Sequence, residues 1–271
     1  LRTSAAATAL SSMPYLWTTS QLRADEPNDR LNVAAIGVGG RGSGIGHQAG
    51  HLGNMLACCD VDSERAAKFA ERYGSNCQTY NDYRAIIDRD DIDVVTIGTP
   101  DHWHTKISID AMKSGKDVYC EKPLTLTIDE GKQICKVVEE TGRVFQVGTQ
   151  QRSEYDQRFL KAIAIAQSGR LGGNRRATAG VGEANSGGPF AETDPPANLY
   201  WDLWLGQAPW TPYIKERTHY EFRWWLEYSG GQVTDWGVHH VVIGIWALGE
   251  DTTGPTTIQG KGESNREKDY Y

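Results

Sequence analysis

The sequence predicts an α/β protein in which a doubly wound parallel sheet is followed by a second, smaller domain. Between Leu31 and Thr149, short apolar runs alternate with amphipathic stretches, as in βαβ units. The expected strands lie near 32–38, 54–60, 77–80, 93–98, 117–121 and 143–148, and the expected helices near 42–52, 63–73, 82–88, 104–114 and 127–141. The alternation stops near residue 150. We therefore expect domains over 31–150 and 151–271.

The second half has a different composition. We expect a helix near 153–168, a strand near 174–182, a long aromatic loop, a helix over 233–248 and a strand near 256–260. Seven of the nine tryptophans fall in this half. Clustered indoles form a core or a subunit interface more often than they stack on sugar rings, and both interpretations stay open here.

The overall charge and hydropathy limit the class of partner. The chain has 271 residues and a formal net charge of -7. An acidic chain lacks the basic face that nucleic acids or anionic membranes require. No apolar stretch approaches the roughly 20 residues of a membrane span. Small molecules are therefore the expected ligands.

A glycine-rich segment carries the strongest functional signal. An apolar run that begins at Val33 leads directly into Gly37. With Gly39 and Gly42, this glycine forms the spacing G-x-G-x-x-G. In this pattern the first glycine allows a tight turn, the second lets backbone approach a phosphate, and the third lets the helix pack against the strand. The segment, with Gly40 and Arg41, predicts a Rossmann fold that binds a dinucleotide pyrophosphate.

An acidic residue strengthens this interpretation. Asp60 ends the second expected strand about 20 residues after the turn, where the ribose hydroxyls of NAD are held. The alternative is that Asp60 caps the helix starting near Ser63. A carboxylate at this position favours NAD over NADP, although Arg65 is close enough in sequence to keep NADP open.

Further candidates follow the other strands at the edge of the sheet where ligands bind. The fourth strand runs into Thr99-Pro100 and two histidines, the fifth ends at Glu121-Lys122, and Gln150 follows the sixth. The expected cofactor-binding residues are Gly37, Gly39, Gly40, Arg41, Gly42, Asp60, Thr99, Pro100, His102, His104, Glu121, Lys122 and Gln150.

Three residues are the catalytic candidates. Lys122 lies where the nicotinamide end of a cofactor would be, and a desolvated lysine there can hydrogen-bond a substrate hydroxyl. Asp235 and His239 are four residues apart, so a single helix would present both on one face. The imidazole can take a hydroxyl proton as hydride leaves the same carbon. The alternatives are surface ion pairs.

A metal site is not expected. His102, His104, His239 and His240 could hold zinc, but no cysteine pair supports such a site. The five cysteines include no C-x-x-C pair and are expected to be core residues, so they do not indicate a redox compartment.

Residues 1–30 are compositionally distinct. The Ala/Ser/Thr-rich start resembles the rear half of an export leader, and a plain N-terminal arm is the alternative. The first interpretation implies a periplasmic or exported bacterial protein, and the second a cytoplasmic one.

The motifs in combination resemble the glucose-fructose oxidoreductase, inositol dehydrogenase and MocA (Gfo/Idh/MocA) family. The resemblance rests on the glycine turn, Thr99-Pro100, Glu121-Lys122-Pro123 and Asp235-x-x-x-His239, and it covers about 31–262. Two aromatic segments, 200–206 and 235–240, resemble its exported bacterial branch.

The resemblance implies a Rossmann domain followed by an α+β domain whose open, largely antiparallel sheet is used in oligomer contacts. It implies NAD(P)-dependent oxidation or reduction of a sugar or cyclitol by a homo-oligomer, a dimer or tetramer. Lys122 would hold the reacting hydroxyl, Asp235 would support it, and His239 would act as acid and base. Family members usually continue further, so we expect either that this chain is a fragment or that its second sheet is reduced. A glycosidase that works by transient oxidation, or a non-catalytic nucleotide-binding protein, are the alternatives.

Overall fold

A six-stranded parallel sheet is the centre of the protein. The computed structural model describes residues 30–261, and the strand order is β3-β2-β1-β4-β5-β6. The strands are β1 (Asn32–Ile36), β2 (Asn54–Cys59), β3 (Gln78–Tyr80), β4 (Val94–Ile97), β5 (Asp117–Glu121) and β6 (Phe145–Gly148). All six predicted strands are confirmed. The order reverses between β1 and β4, which creates a crevice at the carboxyl ends of these strands.

Five helices connect the strands, and each lies near a predicted position. They are α1 (Gly40–Leu52), α2 (Ser63–Ala70), α3 (Arg84–Ile87), α4 (Asp101–Lys113) and α5 (Ile128–Thr141). Helix α4 begins three residues earlier than predicted, so both histidines after Pro100 are helical. This shift changes their expected role, as described below.

The sheet separates two apolar cores. Side chains alternate across a strand, so Ala34 and Ile36 of β1 face one core while Val33 and Ala35 face the other. The first core includes Ile107 of α4, and the second includes residues of α2. Because β1 is buried on both faces, it reads as a continuous apolar run in the sequence.

After Gly148 the described chain forms only helices, turns and irregular segments. The helices are α6 (Arg158–Gln167), α7 (Trp201–Leu205), α8 (Gly231–Asp235) and α9 (Gly237–Leu248). Helix α6 starts later than predicted because Tyr155, Asp156 and Gln157 have positive φ angles, which a right-handed helix does not allow. The predicted 233–248 helix is divided at Trp236.

The strands predicted near 174–182 and 256–260 are not formed in the described part of the chain. Both segments are largely solvent-exposed and pair with no strand of the described sheet. An apolar run becomes a strand only when a neighbouring strand satisfies its backbone groups. For the same reason, residues 150–261 do not form the open antiparallel sheet that the resemblance implies.

The aromatic loop builds a third core. Trp201 and Trp204 stack with ring centroids 4.9 Å apart, and Trp225 and Tyr228 are buried beside them. Most of the clustered tryptophans are therefore core residues, whereas Trp210 is 74% exposed. The possible leader in residues 1–29 lies outside the described residues. Over 30–261, no helix is both long and apolar enough to span a bilayer.

Candidate active site

One cavity of about 300 Å³ lies at the carboxyl ends of the central strands. The glycine turn after β1 lines one side, together with Asp60 after β2 and Thr99 after β4. Lys122 after β5 and Asp235 of α8 line the other side. The cavity therefore joins residues that are far apart in sequence, at the sheet edge where α/β proteins bind ligands.

The glycine turn is shaped by close backbone approaches. Gly37 has a φ of +74°, and a Cβ atom on it would lie 2.6 Å from the backbone nitrogen of Thr99. A Cβ on Gly42 would overlap the carbonyl oxygen of Gly37. Side chains are therefore excluded where β1, β4 and α1 meet.

Helix α1 starts at this turn without any capping side chain. The first N–H groups of a helix have no partner within the helix, and together with the helix dipole they favour an anion. Uncapped donors above a glycine turn fit the pyrophosphate of a dinucleotide. The residues present thus fit NAD.

Asp60 is fixed against the cavity wall by the backbone. Its Oδ2 accepts from the N–H of Val38 and its Oδ1 from the N–H of Asp62, each at 2.9 Å. Burial raises the pKa of Asp60. The alternative capping role belongs to Asp62, whose carboxylate accepts from the N–H groups of Glu64 and Arg65 in the first turn of α2. Asp60 lines the cavity and does not cap α2.

Arg65 lies over the glycine turn. Its guanidinium occupies the space where a side chain on Gly39 would be, and it pairs with Asp62 at 3.4 Å. The arginine therefore faces the cavity, together with Asp60.

The two histidines of α4 are placed differently from the prediction. Thr99 and Pro100 line the cavity, whereas His102 and His104 are buried and do not. His102 Nε2 lies 3.0 Å from the carbonyl oxygen of Trp204, and His104 lies between the carbonyl oxygens of Thr99 and Pro123. The early start of α4 turns both rings into the protein. They hold the walls of the cavity together and do not contact its interior.

Glu121 connects the glycine turn to the ends of β5 and β6. Its Oε1 accepts from Arg41 Nε at 3.0 Å and from Gln150 Nε2 at 2.5 Å. Arg41 and Glu121 line the cavity, and Gln150 lies behind Glu121. The hydrogen bonds from Arg41 and Gln150 together hold the Glu121 carboxylate in place.

A charged cluster lies at the carboxyl end of β5, on the other side of the β1–β4 crevice from Asp60, which follows β2. Lys122 Nζ donates to Asp235 Oδ1 at 2.5 Å and to the backbone oxygen of Asp235 at 3.1 Å. Arg223 donates to the other oxygen, Oδ2, at 2.7 Å. The family resemblance associated Lys122 with Asp235, whereas Arg223, which lies within the predicted aromatic loop, was not expected.

His239 follows Asp235 after the helix break at Trp236. The residue is 7% exposed, and its Nδ1 has no hydrogen-bond partner among the described residues. Burial, and next the positive charge of Lys122, lower the pKa of His239 to about 4. The imidazole is therefore neutral near pH 7. His239 does not itself line the cavity, but it lies within electrostatic reach of Lys122.

Asp101 is a site residue that the sequence did not reveal. It lines the cavity as the first residue of α4, is 5% exposed, and accepts from Ser229 Oγ at 2.5 Å. Burial raises the pKa of Asp101 to about 7, against the opposing effects of the Ser229 hydrogen bond and the charge of Lys122. This carboxyl group therefore titrates near neutral pH.

The raised pKa of Asp101 predicts a pH-dependent stability. The folded state holds a proton that the unfolded state releases near pH 4, so the free energy of unfolding falls as the pH rises from about 4 to about 7. Asp101→Asn removes the free-energy cost of ionising this buried carboxyl group, which is on the order of 4 kcal/mol at most. Thermal unfolding would be measured without added nucleotide at pH 5 and at pH 8. The melting temperature of the variant, relative to that of the unchanged protein, should be higher at pH 8 than at pH 5. An equal difference at both pH values would contradict the assignment.

Comparisons with known proteins agree with this architecture. Residues 31–149 match the NAD-binding Rossmann-fold model of an oxidoreductase family, GFO_IDH_MocA, and residues 185–269 match the model of its C-terminal alpha/beta domain. The structure of GenD2 from gentamicin A biosynthesis in complex with NAD superposes with a TM-score of 0.58 at 22% identity. That superposition covers 82% of this chain and 54% of that chain, and it shows a shared fold.

Two curated relatives are similar over less than half of the chain. A glycosyl hydrolase family 109 protein of Shewanella pealeana is 39% identical over 127 residues, or 42% of this chain and 27% of that protein. An inositol 2-dehydrogenase of Salmonella paratyphi B is 30% identical over 119 residues, or 44% of this chain and 35% of that protein. The alignments span well under half of each relative's length. The chain belongs to the Gfo/Idh/MocA oxidoreductase family and has its NAD-binding Rossmann fold.

Proposed function

We propose that this protein is an NAD-dependent dehydrogenase that moves hydride between nicotinamide and a hydroxyl-bearing carbon of a sugar or cyclitol. The observation that carries the proposal is the Lys122–Asp235 contact across the far end of a cavity that begins at the glycine turn. A similar relative named inositol 2-dehydrogenase supports the substrate class.

Different residues of the cavity bind the cofactor and orient the substrate. The uncapped start of α1 binds the pyrophosphate, and Asp60 binds ribose hydroxyls. When bound, NAD supplies the hydride acceptor for oxidation or the donor for reduction. At the far end, Lys122 donates a hydrogen bond to the substrate hydroxyl oxygen and so orients the reacting carbon.

His239 is the acid and base that exchanges a proton with the substrate hydroxyl. In the direction of oxidation the hydroxyl loses a proton, and the neutral imidazole accepts it. Asp235 holds the Lys122 ammonium in place, and its negative charge stabilises the imidazolium once formed. Arg223 in turn fixes Asp235, which limits the geometries open to the lysine.

His239→Asn tests this assignment of the proton. We expect turnover to fall roughly 10²- to 10⁴-fold, as for loss of a general base, with NADH affinity nearly unchanged. The neighbouring His240→Asn is the matched control, because His240 Nδ1 lies 3.1 Å from the carbonyl oxygen of Gly180 in an exposed contact, whereas His239 is buried and feels the charge of Lys122. Steady-state rates and NADH fluorescence titration make the comparison. Equal rates in the two variants would remove His239 from the mechanism.

A second candidate function is glycoside cleavage through transient oxidation at the same site. The similarity to a glycosyl hydrolase family 109 protein, at 39% identity, favours this alternative. The two functions differ in their net redox change. Release of the aglycone from an aryl glycoside, with no net change in the absorbance of reduced nicotinamide, would favour the glycosidase; accumulation of reduced nicotinamide would favour the dehydrogenase.

Two broader expectations accompany the proposal. We expect a homo-oligomer, a dimer or tetramer, which light scattering on the full chain would measure. We also expect export if residues 1–30 include a leader remnant, which cell fractionation would test.

A further inference from the structure

A buried hydrogen bond links the two halves of the chain beside the charged cluster. Ser229 Oγ donates to Asp101 Oδ2 at 2.5 Å, and both residues are buried. Asp101 opens α4 at the edge of the parallel sheet, whereas Ser229 precedes α8 by two residues. The bond therefore fixes the segment that leads into α8 against the cavity wall.

Helix α8 depends on such external contacts. It has five residues, and a helix this short has little stability of its own. Its last residue is Asp235, whose carboxylate meets Lys122. The backbone N–H of Ser229 donates to the carbonyl oxygen of Trp225, whose side chain is buried in the aromatic core. The Ser229–Asp101 bond thus fixes the start of the segment whose end carries the Asp235 carboxylate.

The charges around Asp101 explain why a carboxyl group is present at this buried position. The Ser229 hydrogen bond and the positive charges of Lys122 and Arg223 lower the pKa of Asp101. The negative charge of Asp235 raises it. The charge of Asp101 also contributes to the raised pKa of the buried Cys120 thiol on β5. The surroundings therefore supply both a donor and neighbouring cations for this group, which lowers the cost of burying it.

We propose that Asp101 and Ser229 are positioning residues of the reactive site, whose hydrogen bond holds α8 so that Asp235 meets Lys122. The effect on catalysis rests on the proposed dehydrogenase function. The effect on α8 does not, because it follows from the contacts of the chain alone.

Four variants of the full chain test the proposal by amide hydrogen exchange and by steady-state kinetics. Ser229→Ala removes the donor, Asp101→Ala removes the acceptor, and Asp101→Asn keeps an acceptor oxygen without the carboxylate. The double variant Asp101→Ala/Ser229→Ala measures whether the two residues act as a unit. Peptides covering 229–236 report on α8, and peptides covering β1 report on the global fold.

We expect both alanine variants to accelerate exchange in 229–236 by about tenfold with β1 unchanged, as for loss of one hydrogen bond to a charged group. Turnover should fall by roughly tenfold to a hundredfold with KM nearly unchanged, because a catalytic group is misplaced. The double variant should be no worse than the more affected single variant. Asp101→Asn should keep the slow exchange of the unchanged protein.

Unchanged exchange in 229–236 of Ser229→Ala would overturn the proposal, and so would acceleration that extends equally to β1. Ser229→Ala decides the matter even if Asp101→Ala fails to fold, since it removes a single oxygen atom. If the unchanged protein turns over no polyol, the dehydrogenase proposal fails, while the exchange data still decide whether the pair positions α8.

Discussion

Replacing Lys122 with methionine is expected to reduce turnover by roughly 10²- to 10⁴-fold while NADH affinity changes little. Methionine keeps an unbranched side chain of similar length but cannot donate a hydrogen bond to the substrate hydroxyl. The ammonium of Lys122 is the group that connects Asp235 with the reacting end of the cavity. Initial rates on a panel of sugars and cyclitols, together with NADH fluorescence titration, measure the two effects separately.

Lys136→Met is the matched control for this substitution. Lys136 is a lysine of α5 whose side chain is 74% exposed and pairs only loosely with Glu140, at 3.6 Å. Surface ion pairs of this kind contribute about 0–1 kcal/mol, so this variant should behave like the unchanged protein. If Lys122→Met retained the turnover of the Lys136→Met variant, Lys122 would not orient the substrate.

Gly42→Ala is expected to weaken NADH binding by more than about tenfold and to lower the free energy of unfolding by about 1–3 kcal/mol. The added methyl group would overlap the carbonyl oxygen of Gly37 and would lie 3.0 Å from that of Gly98. Backbone atoms cannot rotate away as a side chain can, so the turn itself must shift. NADH titration and thermal unfolding measure the two consequences.

Gly44→Ala provides the contrast within the same helix. Gly44 is exposed, and a Cβ built on it has nothing within 4 Å. Alanine is the better helix former by about 0.5–1 kcal/mol, so this variant should be slightly more stable and should bind NADH normally. Equal NADH affinity in both alanine variants would contradict the placement of the pyrophosphate at this turn.

The sheet and the glycine turn could be predicted because their signals are local. Strands β1, β2 and β4 at the centre of the sheet are largely apolar runs, and the turn after β1 requires glycine at fixed spacing. The placement of Asp60 and Lys122 follows from the same rule, since parallel strands end at one edge. The contact of Lys122 with Asp235 came from the family resemblance, which supplied a pairing that spacing alone does not give.

The rest of the site depends on tertiary contacts with no local pattern. Arg223 lies in a short 3-10 turn and lines the cavity, and Ser229 contacts the cavity residue Asp101; both belong to the segment that packs on the aromatic core. The histidines of α4 were assigned to the cofactor because the helix was expected to begin at His104. It begins at Asp101, and three residues of additional helix turn both rings away from the cavity.

The second half shows the limit of apolar patterns as evidence for strands. Residues 174–182 alternate suitably, but strand formation depends on a partner that sequence periodicity does not identify. The described chain offers this segment no partner strand. Helices, which satisfy their own backbone groups, were predicted more closely in the same region, as α9 shows.

Transfer of deuterium from substrate to nucleotide tests the central claim most directly. The full chain would be incubated with NAD and with sugars or cyclitols deuterated at their carbinol carbons, and the recovered nucleotide would be analysed by mass spectrometry. We expect deuterated NADH from at least one polyol with the unchanged protein and none with Lys122→Met. Bound nucleotide that acquires no deuterium from any polyol would contradict the assignment of this cavity as a dehydrogenase site.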